Sequence, residues 1–247
     1  AALRTLGAAA IAPAQAAEAE FTDAQKKALG EIVKDYLVKN PEVLLDVQNA
    51  LEAKLEKEHS EKLKNFMSEN AKDIYHTPDS SIAGNPKGDI TVVEFFDYNC
   101  GYCRRGLPEV QKLLDSDKNV RVVFKELPIL SKGSEEAAKA SLAAKRQGKY
   151  WEFHKGMLNF KGQANEASSA KVAEAIGLDM AKFKSDVASQ QVNDELEQMK
   201  ALARKLGING TPHFLVGDKS IPGAPEDLHV QLESLVTDFR KSGCSYC

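Results

Sequence analysis

The chain has 247 residues, 43% of them apolar and 28% charged, with a formal net charge of −3. That length carries one well-cored domain plus a smaller element. The slight acidic excess excludes a basic surface for nucleic acid, and no apolar run reaches the roughly 18 residues a membrane span requires.

Residues 1–16 come first in chain order. Arg4 precedes a weakly apolar stretch from Leu6 to Ala12, Ala14-Gln15-Ala16 has a small-x-small pattern, and charge returns at Glu18 and Glu20. This reads as the remnant of a secretory signal peptide. Export points to a compartment such as a bacterial periplasm, where disulfides persist.

Residues 17–76 read as an N-terminal helical arm. Thr22 and Gln25 have capping-box spacing, with Phe21 ahead of them, so a helix is expected to about Val38. Asn40-Pro41 supplies an N-cap and a first-turn proline for a second helix, free of Gly and Pro to about Tyr75. Its apolar positions Leu44, Val47, Leu51 and Leu55 recur every three or four residues. So narrow a stripe resembles a coiled-coil seam, and self-association of identical chains is expected through it. Packing onto its own domain is the alternative. Residues 77–88 are rich in Pro, Ser, Gly and Asp and read as a linker.

Residues 77–243 read as the main domain. Ile90–Phe96 is β-branched and aromatic, a strand. A helix is expected from about Cys103 to Leu114, and a second strand from Val120 to Phe124. The pattern is then helical over about 134–207, broken near Gly148, Gly162 and Gly177. A strand follows at His213–Val216, a short one at Ser220-Ile221, and a last helix at Pro225–Phe239. The class is α/β, and this order is that of a thioredoxin fold with an inserted helical subdomain, preceded by a helical oligomerisation arm. Residues 244–247 form a tail.

Four cysteines make two C-x-x-C pairs, Cys100/Cys103 and Cys244/Cys247. Closing so short a loop removes little chain entropy, which leaves redox chemistry or metal binding. Cys100 lies where a strand meets a helix. Free N–H groups and partial positive charge at a helix start stabilise a thiolate there, and Arg104 and Arg105 add positive charge. Cys100 is thus the expected nucleophile and Cys103 the resolving thiol. Tyr102 adds uncharged bulk. Two halves of a zinc site are a weaker reading, since the two pairs lie too far apart for a zinc ribbon.

Thr211-Pro212 precedes the strand that follows the inserted helices, where this fold places a cis-proline loop facing the dithiol. Thr211 then offers its backbone to an extended substrate segment. Glu94 alternates onto one face with Val92 and Phe96, and is either a buried proton relay beneath the dithiol or a solvated strand residue. Lys125 is its candidate partner. His213 is a base, a copper ligand or a structural residue; His154, beside Trp151 and Phe153, reads as core. Met157, Met180 and Met199 form no copper-type cluster.

Phe95-Phe96-Asp97-Tyr98-Asn99-Cys100-Gly101-Tyr102-Cys103, Lys125-Glu126-Leu127-Pro128-Ile129-Leu130 and Gly210-Thr211-Pro212-His213-Phe214 resemble the Dsb family of bacterial periplasmic thiol oxidoreductases. The arm, with Ile32-Val33, Tyr36-Leu37 and Asn40-Pro41-Glu42-Val43-Leu44, is similar to the suppressor-of-copper-sensitivity C branch. The resemblance implies nucleophilic and resolving roles for Cys100 and Cys103, a cis-Pro loop at Thr211 and Pro212, and a buried acid at Glu94. It also implies disulfide isomerase or reductase activity on misoxidised or unfolded exported proteins. No cofactor is expected beyond the redox-active Cys100–Cys103 disulfide. A homotrimer through the arm, a membrane thiol reductase that keeps Cys100 reduced, a Gram-negative periplasm and a link to copper tolerance follow from the same resemblance. A dithiol oxidase, or a Cu(I) carrier using the Cys100 and Cys103 sulfurs, are the competing functions. The Cys244/Cys247 pair departs from the family pattern and is a second redox centre, a copper site or a tail.

Overall fold

A computed structural model describes residues 21–77, 80–244 and 247; the segment read as a signal-peptide remnant lies outside them. The chain divides into two compact units at the Glu58–His59 boundary.

The first unit holds α1 (Asp23–Lys39) and the start of α2 (Glu42–Glu69). Thr22 caps α1: its Oγ1 accepts from the Gln25 N–H at 3.3 Å, and the Gln25 Oε1 accepts from the Thr22 N–H at 2.9 Å. Asn40 does not cap the next helix as expected. Its side-chain amide turns back to donate to the Tyr36 carbonyl at 2.8 Å and closes α1 instead. Nothing in α1 is buried, and Ile32, Val33, Tyr36, Leu44, Leu51 and Leu55 are all exposed.

The second unit begins at His59, so the expected arm of residues 17–76 is too long. The second helix also does not run unbroken to Tyr75. It stops at Asn70, whose side-chain amide donates to the Phe66 carbonyl at 2.8 Å, and α3 (Ala71–Tyr75) follows. Met67, Ile74 and Tyr75 are fully buried against Val93, Phe95 and Leu215. Each such burial stabilises by about 1.5–3 kcal/mol, which commits these residues to the sheet's unit. The Tyr75 hydroxyl donates to the Gly217 carbonyl at 2.6 Å.

The segment expected as a linker contains a strand, β1 (Ser81–Gly84). There follow β2 (Ile90–Phe96), α4 (Gly101–Ser116) and β3 (Val120–Glu126), then the inserted helices α5 (Lys132–Lys145), α6 (Tyr150–Leu158), α7 (Glu166–Ala175), α8 (Met180–Val187) and α9 (Gln190–Lys205). β4 (His213–Val216), β5 (Lys219–Pro222) and α10 (Leu228–Ser242) complete the unit. The sheet order is β1-β3-β2-β4-β5, with β2 and β3 parallel and the other pairs antiparallel.

Alternation along the strands separates two cores. Val92, Phe96, Val122, Phe124, Phe214 and Val216 face α4, α10 and the inserted helices. Val93, Phe95, Val123 and Leu215 face the end of α2, α3 and the last turns of α9. Because both faces are covered, β2 reads as a nearly unbroken apolar run.

Cys244 and Cys247 are joined in a disulfide. The Cys247 carbonyl accepts from the Thr91 hydroxyl at 3.0 Å, at the start of β2 and so at the end of that strand away from Cys100. Among the described residues no group of three or more His, Cys, Asp or Glu is placed to hold a metal.

Candidate active site

Cys100 is the N-cap of α4. Its Sγ accepts from the Cys103 N–H at 3.4 Å, and the thiol donates to the Thr211 carbonyl at 3.1 Å. The hydrogen bond from the Cys103 side chain, aided by backbone N–H groups of the first helical turn, lowers the Cys100 pKa from 9.0 to about 6. Partial burial opposes this, the Thr211 side chain adds to the lowering, and the donors prevail. Cys103 is wholly buried; desolvation, and then its bond to Cys100, raise its pKa far above the usual thiol value. The Asp97 N–H points at its Sγ from 3.5 Å. Both thiols are free. At neutral pH one sulfur is thus a thiolate and the other a protonated thiol, one helical turn apart.

Glu94 projects from β2 onto the face shared with Val92 and Phe96, beneath the pair. It is fully buried, and desolvation, then the negative charge on Cys100, raise its pKa to about 8. Its Oε1 has no hydrogen-bond partner among the described residues. Its negative charge in turn raises the Cys103 pKa. The solvated reading of Glu94 is therefore replaced by the buried one.

Lys125 is not its partner. In the β2–β3 register Glu94 pairs with Phe124 and Lys125 with Phe95, which sends Lys125 to the opposite face of the sheet. There its ammonium donates to Thr77 Oγ1 at 2.8 Å and the Asp73 carbonyl at 3.2 Å, and burial lowers its pKa to about 8. His213 also pairs with Phe95 and faces away from the dithiol; its Nε2 is 2.7 Å from Ser220 Oγ. His154 is core as expected: it packs on Phe96, Phe124 and Trp151, and burial lowers its pKa to about 3.

The Thr211–Pro212 peptide bond is cis and lies beside Cys100. Tyr102 is 59% exposed on the same surface, and the Arg105 guanidinium stacks 4.6 Å from its ring centre. The two arginines also hold the local framework. Arg104 donates to the carbonyls of Tyr98, Phe160 and Gly162, and Arg105 to that of Ala224 at 2.6 Å, so both tie the site to neighbouring loops.

Two further residues hold the site and carry no motif of their own. Asp97 accepts from the N–H groups of Asn99, Ile129 and Leu130 at 2.8–3.0 Å, joining the end of β2 to the loop after β3. Asn99 reaches into the inserted subdomain: its amide donates to Ser134 Oγ and the Ala164 carbonyl, both at 3.0 Å, and its carbonyl accepts from the Ala164 N–H at 2.8 Å. Their position in the three residues before Cys100 was the available signal.

Residues 91–232 match the model of the DSBA-like thioredoxin domain, and residues 25–58 that of the Copper resistance protein ScsC N-terminal domain. A thioredoxin-like oxidoreductase from Silicibacter pomeroyi DSS-3 is 47% identical over 69% of this chain and 97% of its own, with a TM-score of 0.66. A linker-deleted Proteus mirabilis ScsC is 26% identical over 92% of this chain and 100% of its own, with a TM-score of 0.68. The Na(+)/H(+) antiporter NhaA 3 of Salinispora tropica is 31% identical over 140 residues, and this chain spans only 22% of that relative's length. With the domain model covering more than half the chain and the dithiol at its expected junction, the chain belongs to the DsbA-like thioredoxin-domain family of thiol–disulfide oxidoreductases, in its ScsC branch.

Proposed function

We propose that this protein is a periplasmic disulfide isomerase and reductase acting on misoxidised exported proteins, assembled as a homotrimer through its N-terminal arm. The observation that carries the chemistry is the Cys100 sulfur at the start of α4, favoured as a thiolate beside the Thr211 carbonyl. The thiolate attacks one sulfur of a substrate disulfide; the Cys100–substrate S–S bond forms, and the other substrate sulfur leaves as a thiolate. A substrate thiol then displaces Cys100, which completes isomerisation with no net electron transfer. Alternatively Cys103 displaces the substrate: its proton passes to the ionised fraction of Glu94, which grows as pH approaches 8, the Cys100–Cys103 disulfide forms, and the substrate leaves with two electrons gained. Thr211 and Pro212 offer backbone to the extended substrate, and Tyr102 a face for its side chains. A membrane thiol reductase resets the pair. Among the described residues no helix is long and apolar enough to cross a membrane.

The exposed apolar face of α1 and α2, within the region matched by the ScsC N-terminal model, supports assembly. Several catalytic units on one oligomer let a misfolded substrate meet more than one thiolate. The test is reactivation of scrambled ribonuclease by the reduced full chain, with mass measured in solution. Recovery that fails in Cys100→Ser, and in a chain lacking residues 17–58 that is monomeric, is the expected result. Full recovery by that monomer refutes the trimeric requirement.

The same thiolate supports a second reading, a dithiol oxidase, because stabilising the reduced form makes the pair a stronger oxidant. Rapid oxidation of a reduced peptide without ribonuclease reactivation identifies that activity. Copper tolerance enters through the arm's family model alone, and tight one-to-one Cu(I) binding by Cys100 and Cys103 without disulfide turnover identifies a carrier.

A further inference from the structure

Lys125 takes no part in the dithiol chemistry, and its surroundings leave it with charge unmatched. It is only 3% exposed. Both hydrogen bonds of its ammonium go to neutral oxygens, Thr77 Oγ1 at 2.8 Å and the Asp73 carbonyl at 3.2 Å. Among the described residues no carboxylate lies within 4 Å of it; the charges of Glu126, Glu195 and Asp73 act on it from farther away, and that of Lys145 opposes them. An ammonium has three donors, so one is left over. Buried charges are ordinarily paired, because a desolvated ion without a counter-ion is costly.

Lys125, Thr77 and Asp73 line a cavity of about 420 Å³, a size that suits a small molecule. Met199 and Leu202 of α9 give it an apolar wall, and the exposed Gln198 and Lys205 lie at its rim. A second cavity of about 400 Å³ shares Glu195 with the first and adds Lys145 and Arg146. Glu195 is held by Lys145 in an ion pair, so its charge is already answered. Lys205 and Arg146, both exposed, make the approach basic, with Asp73 the opposing acid. Lys125 pairs across the strands with Phe95, so this cavity lies on the face of the sheet away from Glu94 and the dithiol.

We propose that this cavity is a binding site for a small aliphatic monocarboxylate, its carboxylate held by the Lys125 ammonium and its apolar body by Met199 and Leu202. One buried cation matches one negative charge. A dianion such as phosphate would set its second charge against Glu195 and Asp73, and it has no body for the apolar wall to cover. A neutral ligand of the same shape would leave the ammonium as it is. Burial lowers the Lys125 pKa to about 8, so at pH 7 the ammonium still carries its charge and the carboxylate finds it ionised. The bond that forms is a charge-assisted hydrogen bond in a desolvated site, the strong kind.

The experiment is titration calorimetry of the full reduced chain at pH 7 with butanoate, isovalerate and hexanoate. Isovaleramide serves as the neutral counterpart, inorganic phosphate as the dianion, and an acetylated dipeptide acid as the carboxylate a protein terminus would present. At least one of the three free acids should bind, one per chain, and the amide should not. Lys125→Met should weaken that binding by about tenfold to hundredfold, the worth of a hydrogen bond to a charged group. Gln198→Trp fills the cavity from an exposed position, so the fold is not at stake, and should also remove binding while the ammonium stays in place. No binding of any free acid at millimolar concentration overturns the proposal. So does equal binding of amide and acid, a preference for phosphate, or acid binding unchanged in both variants. A dipeptide acid bound more tightly than every free acid makes a chain terminus the occupant and overturns the small-molecule assignment.

Discussion

Replacing Glu94 by Gln should stabilise the reduced protein, and more so as pH rises. The unfolded chain gives up this proton near 4.5, whereas the folded chain holds it to about 8 because ionising it there leaves a desolvated charge beneath the dithiol. Folding therefore takes up a proton between these values, and stability falls as pH climbs through that window. From 4.5 to neutrality the carboxyl costs about 3 kcal/mol, at about 1.4 kcal/mol per pH unit. Gln has nearly the same shape and no such titration. Urea denaturation of both reduced proteins, at one protein concentration and at pH 4, 5.5, 7 and 8, reads the difference. Glu126 shifts in the same direction as Glu94 and Lys125 in the opposite one, and both cancel when variant and parent are subtracted. The expected difference is close to zero at pH 4 and grows to about 3 kcal/mol in favour of Gln at pH 7. A difference that stays flat with pH refutes the buried, protonated Glu94.

Two further outcomes follow from packing. Asn99→Ala removes the four side-chain bonds that fasten the inserted subdomain to the active-site loop, to Ser131, Ser134 and twice to Ala164, so chemical denaturation should show a loss of about 1–3 kcal/mol. Amide exchange should quicken at Ala164 before the sheet is affected. Gly217 sits at φ +56°, and a methyl there meets the Phe239 ring. Gly217→Ala should therefore cost about 1–3 kcal/mol, seen as a lower denaturation midpoint with Cys100 reactivity unchanged; a neutral effect contradicts the packing of α10 on that turn.

The dithiol and the proline loop were legible because each is a local arrangement: Cys100 follows a β-branched run after three residues, and Pro212 precedes the strand beside it. Glu94 was legible as far as parity along one strand reaches. Lys125 was misplaced because its face depends on the pairing of β3 with β2, and register between strands is not written in either strand alone. Glu126, one residue further on, shares the face of Glu94 for the same reason. Residues 59–76 looked continuous with the arm, since Met67, Ile74 and Tyr75 continue a helical spacing. Only the second face of the sheet shows what they cover. β1 is four residues long on a sheet edge, within a stretch whose Pro, Ser and Gly content signals a linker.

The reactivity of the exposed end of the dithiol is open to direct measurement. The rate of iodoacetamide alkylation of Cys100 in the reduced chain, followed from pH 4 to 9, should rise with a midpoint near 6, while Cys103 stays unreacted throughout. A midpoint near 9, or equal labelling of both thiols, contradicts a thiolate held at the head of α4.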